Sequence, residues 1–100
     1  MKYSEHVERD RRLVILRLTT EGNGTCNDRM LVTGLAHWGI RCTLETVSQS
    51  LAWLEEHGLV KLRTVPDSDV KVAEITRRGR DVAAGMTDVP GVTPRRLVAD

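Results

Sequence analysis

Between positions 43 and 50 the chain places Thr43, Glu45, Thr46, Gln49 and Ser50, side chains whose hydroxyl, carboxylate and amide groups can hydrogen-bond to base edges. A glutamine amide matches N6 and N7 of adenine, a glutamate accepts from N4 of cytosine, and hydroxyls meet base or phosphate. A second set, Lys61, Arg63, Lys71, Arg77 and Arg78, with Arg80 close behind, supplies cations that neutralise phosphates and seat a protein on a duplex without reading its sequence. Together the two sets point to double-stranded DNA as a partner. A plainer reading competes with each. The stretch around Gln49 holds Glu45, Glu55 and Glu56 and no basic residue, as a solvated polar face would. Alternating Lys61 and Arg63 also suit any half-buried hairpin, whose edge lysines discourage aggregation, and Asp67 and Asp69 oppose deep insertion into a minor groove.

Other chemistries have less footing. Cys26, Cys42, His6, His37 and His57 form no Cys-x-x-Cys or His-x-x-x-His pair, so neither a metal site nor a cofactor is expected. The chain has no glycine-rich phosphate loop, no nucleophile elbow and no acid-base pair at an informative spacing, and reads as a non-enzyme with no catalytic residue. Trp38 and Trp53 lie beside apolar stripes and are expected to pack in the core or at an interface. Arg9, Arg11, Arg12 and Arg17 could contact the DNA backbone, but they stand close to Glu5, Glu8 and Asp10, and ion pairing on a solvated helix face is the expected reading.

These side chains depend on a few elements for their positions. Ser4 as N-cap, Glu5 and Glu8 in the first turn, and a face of Val7, Val14 and Leu18 flanked by Leu13, Ile15 and Leu16 predict a first helix over about 5–19. Gly22 and Gly24 break it, and Thr25 and Cys26 allow only a bridge of strand. Asn27 then caps a second helix carrying Leu31, Leu35 and Trp38, in which Gly34 admits a close neighbour and which Gly39 ends in the left-handed conformation. Thr43 caps a third helix, with Leu44, Val47, Leu51 and Leu54 turned inward, that ends at Gly58. Helices joined by so short a turn cross steeply, as in a helix-turn-helix. Residues 59–65 and 70–75 alternate and are rich in β-branched side chains, and Pro66, Asp67, Ser68 and Asp69 between them make a hairpin turn. Thr76 caps a fourth short helix to about Ala84, closed by Gly85, after which the segment from Val89 to Pro94 excludes helix.

One hundred residues, 40% apolar and 29% charged, make a single globular domain. With no phenylalanine, aliphatic side chains must fill a modest core, and stability of about 5 kcal/mol is expected. The formal net charge is +1, which announces no nucleic-acid partner, but its distribution is uneven. Residues 1–20 carry five basic and three acidic groups and residues 58–80 six and three, against two and five in 21–57. No apolar run approaches the ~20 residues of a membrane span and the N-terminus lacks a signal-peptide core, so a soluble protein of the cytoplasm, with no membrane partner and two free, buried thiols, is expected.

Helix, short strand, helix, helix and hairpin in that order is the pattern of a winged helix-turn-helix. The expected fold is mainly α with a small β-hairpin: a three-helix core, a two-stranded wing and a short C-terminal helix over 1–85, then an extended tail over 86–100. The passage from Leu51 to Val60 (LAWLEEHGLV), followed by Ile75 to Arg80 (ITRRGR), resembles the helix-to-wing-to-helix passage of many prokaryotic winged-helix regulators. More narrowly, Arg11 to Leu18 (RRLVILRL), Trp53 to Val60 (WLEEHGLV), Arg78 to Gly85 (RGRDVAAG) and Val89 to Val92 (VPGV) resemble short, largely uncharacterised winged-helix proteins of Mu-like phages and prophages. That resemblance spans nearly the whole chain and implies the fold and a phage origin, with no activity or site attached.

The resulting expectation is a DNA-binding protein of a phage or prophage, acting in transcriptional regulation or phage DNA handling in a bacterial host. A homodimer is expected through the first helix and the tail, because Val89, Pro90, Val92, Leu97 and Val98 find little room in so small a core. The alternative is a winged-helix module that meets a phage or host protein instead of DNA.

Overall fold

In a computed structural model, which describes residues 2–98, the chain forms α1 (Tyr3–Glu21), β1 (Thr25–Asn27), α2 (Asp28–His37), α3 (Leu44–Glu56), β2 (Val60–Thr64), β3 (Lys71–Ile75), α4 (Arg77–Ala84) and a 3-10 turn (Arg95–Leu97). Leu13, Val14, Ile15 and Leu16 are all buried. Four successive residues go slightly more than once around a helix, so the middle of α1 is enclosed on every side. It packs against α2, α3, α4 and the sheet, and becomes the centre of the molecule rather than one amphipathic wall. Val7, expected on the buried face, lies in the half-exposed first turns.

Local chemistry sets most boundaries. The side chains of Asn27, Thr43 and Thr76 accept from the backbone N–H groups of Met30, Thr46 and Gly79 and so cap α2, α3 and α4. Gly39 has φ +80°, and the Ile40 N–H then donates to the Leu35 carbonyl, closing α2 as expected. The start of α1 differs from expectation. Ser4 is not the cap; Lys2 is, with the Glu5 carboxylate accepting from the Lys2 backbone N–H at 3.3 Å, so the helix begins two residues earlier. Its end is later, at Glu21, and the Thr19 and Thr20 hydroxyls turn inward to the helix's own Ile15 and Leu16 carbonyls.

The sheet has three antiparallel strands in the order β1-β3-β2, where the sequence shows only a hairpin and a bridge. Cys26 pairs with Ala73 and Leu62 with the same Ala73, so β3 is central. Antiparallel partners share a face. Val60, Leu62, Ala73 and Ile75 therefore face the core, while Lys61 and Arg63 stand opposite Glu74 and Val72 on the outer face.

Both tryptophans pack against the core, as expected, and arginines of α1 cover them. The Arg12 guanidinium lies 4.0 Å from the Trp53 ring and that of Arg17 4.4 Å from Trp38. This corrects the solvated-face reading of these two arginines, while the expected ion pairing holds for Arg12, which lies 3.7 Å from Glu8. Val89 and Val92 are buried in this chain's own core, and Val98 packs against it. The tail does have room there: it crosses α1, with the Thr93 N–H donating to the Arg9 carbonyl and the Thr93 hydroxyl to Asp10. Residues 99 and 100 of that tail lie outside the described residues. Cys26 and Cys42 are free and half-buried rather than fully buried, and burial pushes the Cys26 thiol pKa up. No helix among the described residues is long and apolar enough to cross a membrane.

Candidate nucleic-acid interface

Thr43 opens α3, its hydroxyl accepting from the Thr46 N–H at 3.1 Å and lying 3.0 Å from the Thr46 hydroxyl. The buried residues of α3 are Val47, Ser50, Leu51 and Leu54. Their spacing centres the inward stripe between Val47 and Leu54, which turns Ser50 beneath α1 and swings Leu44 outward. Ser50 is 5% exposed and Leu44 36%, the reverse of the expected arrangement. Ser50 is thus too enclosed to reach a base. The fully outward stripe is Glu45, Gln49, Ala52 and Glu56, all exposed.

Each flank of α3 meets another element. On the sheet side, the Lys71 ammonium donates to the Ser48 hydroxyl at 2.7 Å, and the Leu62 N–H of the edge strand donates to the Glu55 carboxylate at 2.9 Å. The hairpin is held from below as well. Arg29 bridges buried Asp28 at 3.0 Å and Asp69 of the hairpin turn at 2.8 Å, and these bonds, Asp28 first, raise the Arg29 pKa. On the α1 side, Glu8, Arg11, Arg12, Thr46, Gln49, Ser50 and Trp53 enclose a crevice of about 110 Å³. Arg12 is committed there: it covers Trp53, donates to the Gly91 carbonyl at 2.9 Å and pairs with Glu8 at 3.7 Å. Burial lowers its pKa, Glu8 opposes that shift, and the positive charges of Arg11 and Arg9 add to the lowering.

The ten residues singled out in the sequence therefore fall into separate groups. Thr43, Glu45, Thr46 and Gln49 share the exposed first half of α3, and Lys71 stands beside them. Ser50 is buried. Lys61 and Arg63 lie on the sheet face turned away from the core and from α3. Arg78 donates to the His57 carbonyl at 2.8 Å and closes the far end of α3, next to exposed Arg77. The sequence offers Arg11 as a backbone contact but favours ion pairing, since nothing within α1 signals that residues 8–12 face residues 46–53.

No protein-family profile matches the chain, and no solved structure matches it. Two curated proteins are similar over most of its length. One, an uncharacterised protein of Haemophilus influenzae, is 35% identical over 78 residues, covering 78% of this chain and 76% of the relative. The other, the uncharacterised protein gp26 of Escherichia phage Mu, is 36% identical over 83 residues, covering 83% of this chain and 84% of the relative. At that identity over that share of both chains, this protein belongs to the family that includes phage Mu gp26 and its Haemophilus relative.

Proposed function

We propose that this protein is a winged-helix DNA-binding protein, with α3 as the reading helix and β2–β3 as the wing, serving transcriptional control or DNA handling of a Mu-like phage or prophage in the host cytoplasm. The observation that carries the reading is the exposed first half of α3. Glu45 and Gln49 point outward behind the short α2–α3 turn, and the Lys71 ammonium is set at their side by its bond to the Ser48 hydroxyl. An α-helix with its side chains is about 10–12 Å across and the major groove about 12 Å wide, so α3 fills the groove and only outward residues reach base edges. In this reading Gln49 takes adenine and Glu45 takes cytosine.

Selection from a random duplex library at two salt concentrations tests it. A motif that persists at the higher salt is expected, and Gln49→Ala should relax one position of that motif at a cost of about 1–3 kcal/mol. Absence of any enriched motif overturns sequence-specific binding. The second reading, a protein-interaction module, is favoured by one observation: Glu56 shares the outward stripe with Glu45, and Glu55 lies alongside. Failure of duplex selection would move the assignment to it.

Two-fold DNA sites, with α3 helices one turn or about 34 Å apart, go with a homodimer. Tyr3, Met86 and Leu97 are the large apolar side chains that α1 and the tail leave exposed. Light scattering of the full chain is expected to give a dimer that Leu97→Glu weakens; a monomer at high micromolar concentration excludes it. Truncation after Gly85 is no substitute, because it strips Val89 and Val92 from the core.

A further inference from the structure

We infer that the crevice between α1 and α3 is a phosphodiester site, in which Arg11 binds the backbone of one DNA strand while Lys71 binds the other. This rests on α3 lying in the major groove. The strands that wall the groove then run along the two flanks of α3. One flank carries Lys71, whose ammonium donates to the Ser48 hydroxyl in a hollow it shares with Asp28, Glu45 and Asp69, with no carboxylate among the described residues in ion-pair contact with it. The opposite flank is the crevice, where Arg11 stands beside Thr46 and Gln49.

Arg11 suits an anion. Its Nε, like that of Arg12, is buried with no hydrogen-bond partner, and buried donors are normally satisfied. The carboxylate in the crevice, Glu8, is paired with Arg12. Burial is the main cause of the lowered Arg12 pKa and Glu8 opposes it, but Arg11 and Arg9 add like charge that an incoming phosphate would offset. A guanidinium also presents a planar fork that matches two phosphate oxygens. The outer-face pair Lys61 and Arg63 points away from both flanks and takes no part.

Fluorescence anisotropy with labelled mixed-sequence duplex DNA across a salt series separates these assignments. Each phosphate contact contributes about 0.9 to the log-log salt slope. Arg11→Gln and Lys71→Gln should each lower the slope by about 0.9, Arg11→Lys should keep it, and Lys61→Gln with Arg63→Gln should leave it unchanged. If Arg11→Gln fails to fold, Arg11→Met retains the aliphatic stem and takes its place. An unchanged slope for the Arg11 variant, with the wild type binding, overturns the crevice and leaves the α3 reading standing. An equal loss in Arg11→Lys overturns the charge role. A wild-type chain that does not bind the duplex overturns both readings at once.

Discussion

Trp53→Ala is expected to destabilise the protein by about 3 kcal/mol and to release the tail from α1. The indole is a junction of three elements. Its ring stacks on His57 at 3.7 Å between centroids and 15° between planes, and Arg12 covers it at 4.0 Å. The tail closes over the same ring at Gly91, whose φ of +95° favours glycine, and a Cβ at Gly91 would lie 2.5 Å from the Trp53 ring. Removing the ring leaves Arg12 without its platform and opens a void under residues 90–92, and the loss of stacking and cation–π contacts adds to that of burial. Urea denaturation measures the stability. Hydrogen exchange at the Thr93 amide, which donates to the Arg9 carbonyl at 3.2 Å, reports the tail. A loss under about 1 kcal/mol, or undiminished Thr93 protection, would refute the junction.

Gly79→Ala is expected to cost about 3 kcal/mol, although alanine is the better helix former. An added Cβ would drive into the Leu59 carbonyl oxygen and lie 2.8 Å from the Ile75 Cδ1. Neither neighbour yields easily. The Leu59 carbonyl accepts from the Thr76 N–H at 3.1 Å, and the Thr76 hydroxyl both caps α4 at the Gly79 N–H and donates to the Gly58 carbonyl at 2.7 Å. Ile75 is buried at the end of β3. Relief of the clash would thus pull α4 off the joint between α3 and the sheet. Gly39→Ala provides the contrast: nothing lies within 4 Å of its added Cβ and only the φ of +80° is unfavourable, so about 1 kcal/mol is expected in the same urea titration. Equal costs for the two variants would refute the steric account of Gly79.

Element types and order were legible in the sequence because their causes are local. Asn27, Thr43 and Thr76 cap helices by reaching a backbone N–H three residues on, and Gly39 turns the chain with its own φ. The close approach at Gly34 was legible too, as a glycine within an apolar stripe; a Cβ there would lie 2.8 Å from the Leu18 Cδ1. Of the candidate interface, the exposed positions Thr43, Glu45 and Gln49 followed from helical period alone.

Tertiary structure decided the rest. Period alone leaves the centre of a stripe uncertain by a residue, and only the seating of α3 against α1 turned Ser50 inward and Leu44 outward. The three residues of β1 are too few to show alternation, and their place in the sheet comes from pairing with β3, far along the chain. Strand register put Lys61 and Arg63 on one face and Lys71 on the other, separating cations that look like one cluster in the sequence. The arginines of α1 show the same limit: beside Glu5, Glu8 and Asp10 they look like surface ion pairs, yet Arg12 and Arg17 lie on tryptophans 41 and 21 positions away. Caps, turns and periodicity act over about four residues of chain and are written in order along it. Which flank meets which cation, and which carbonyl a Cβ would strike, depends on surfaces that come together only when distant segments bury their apolar faces against one another.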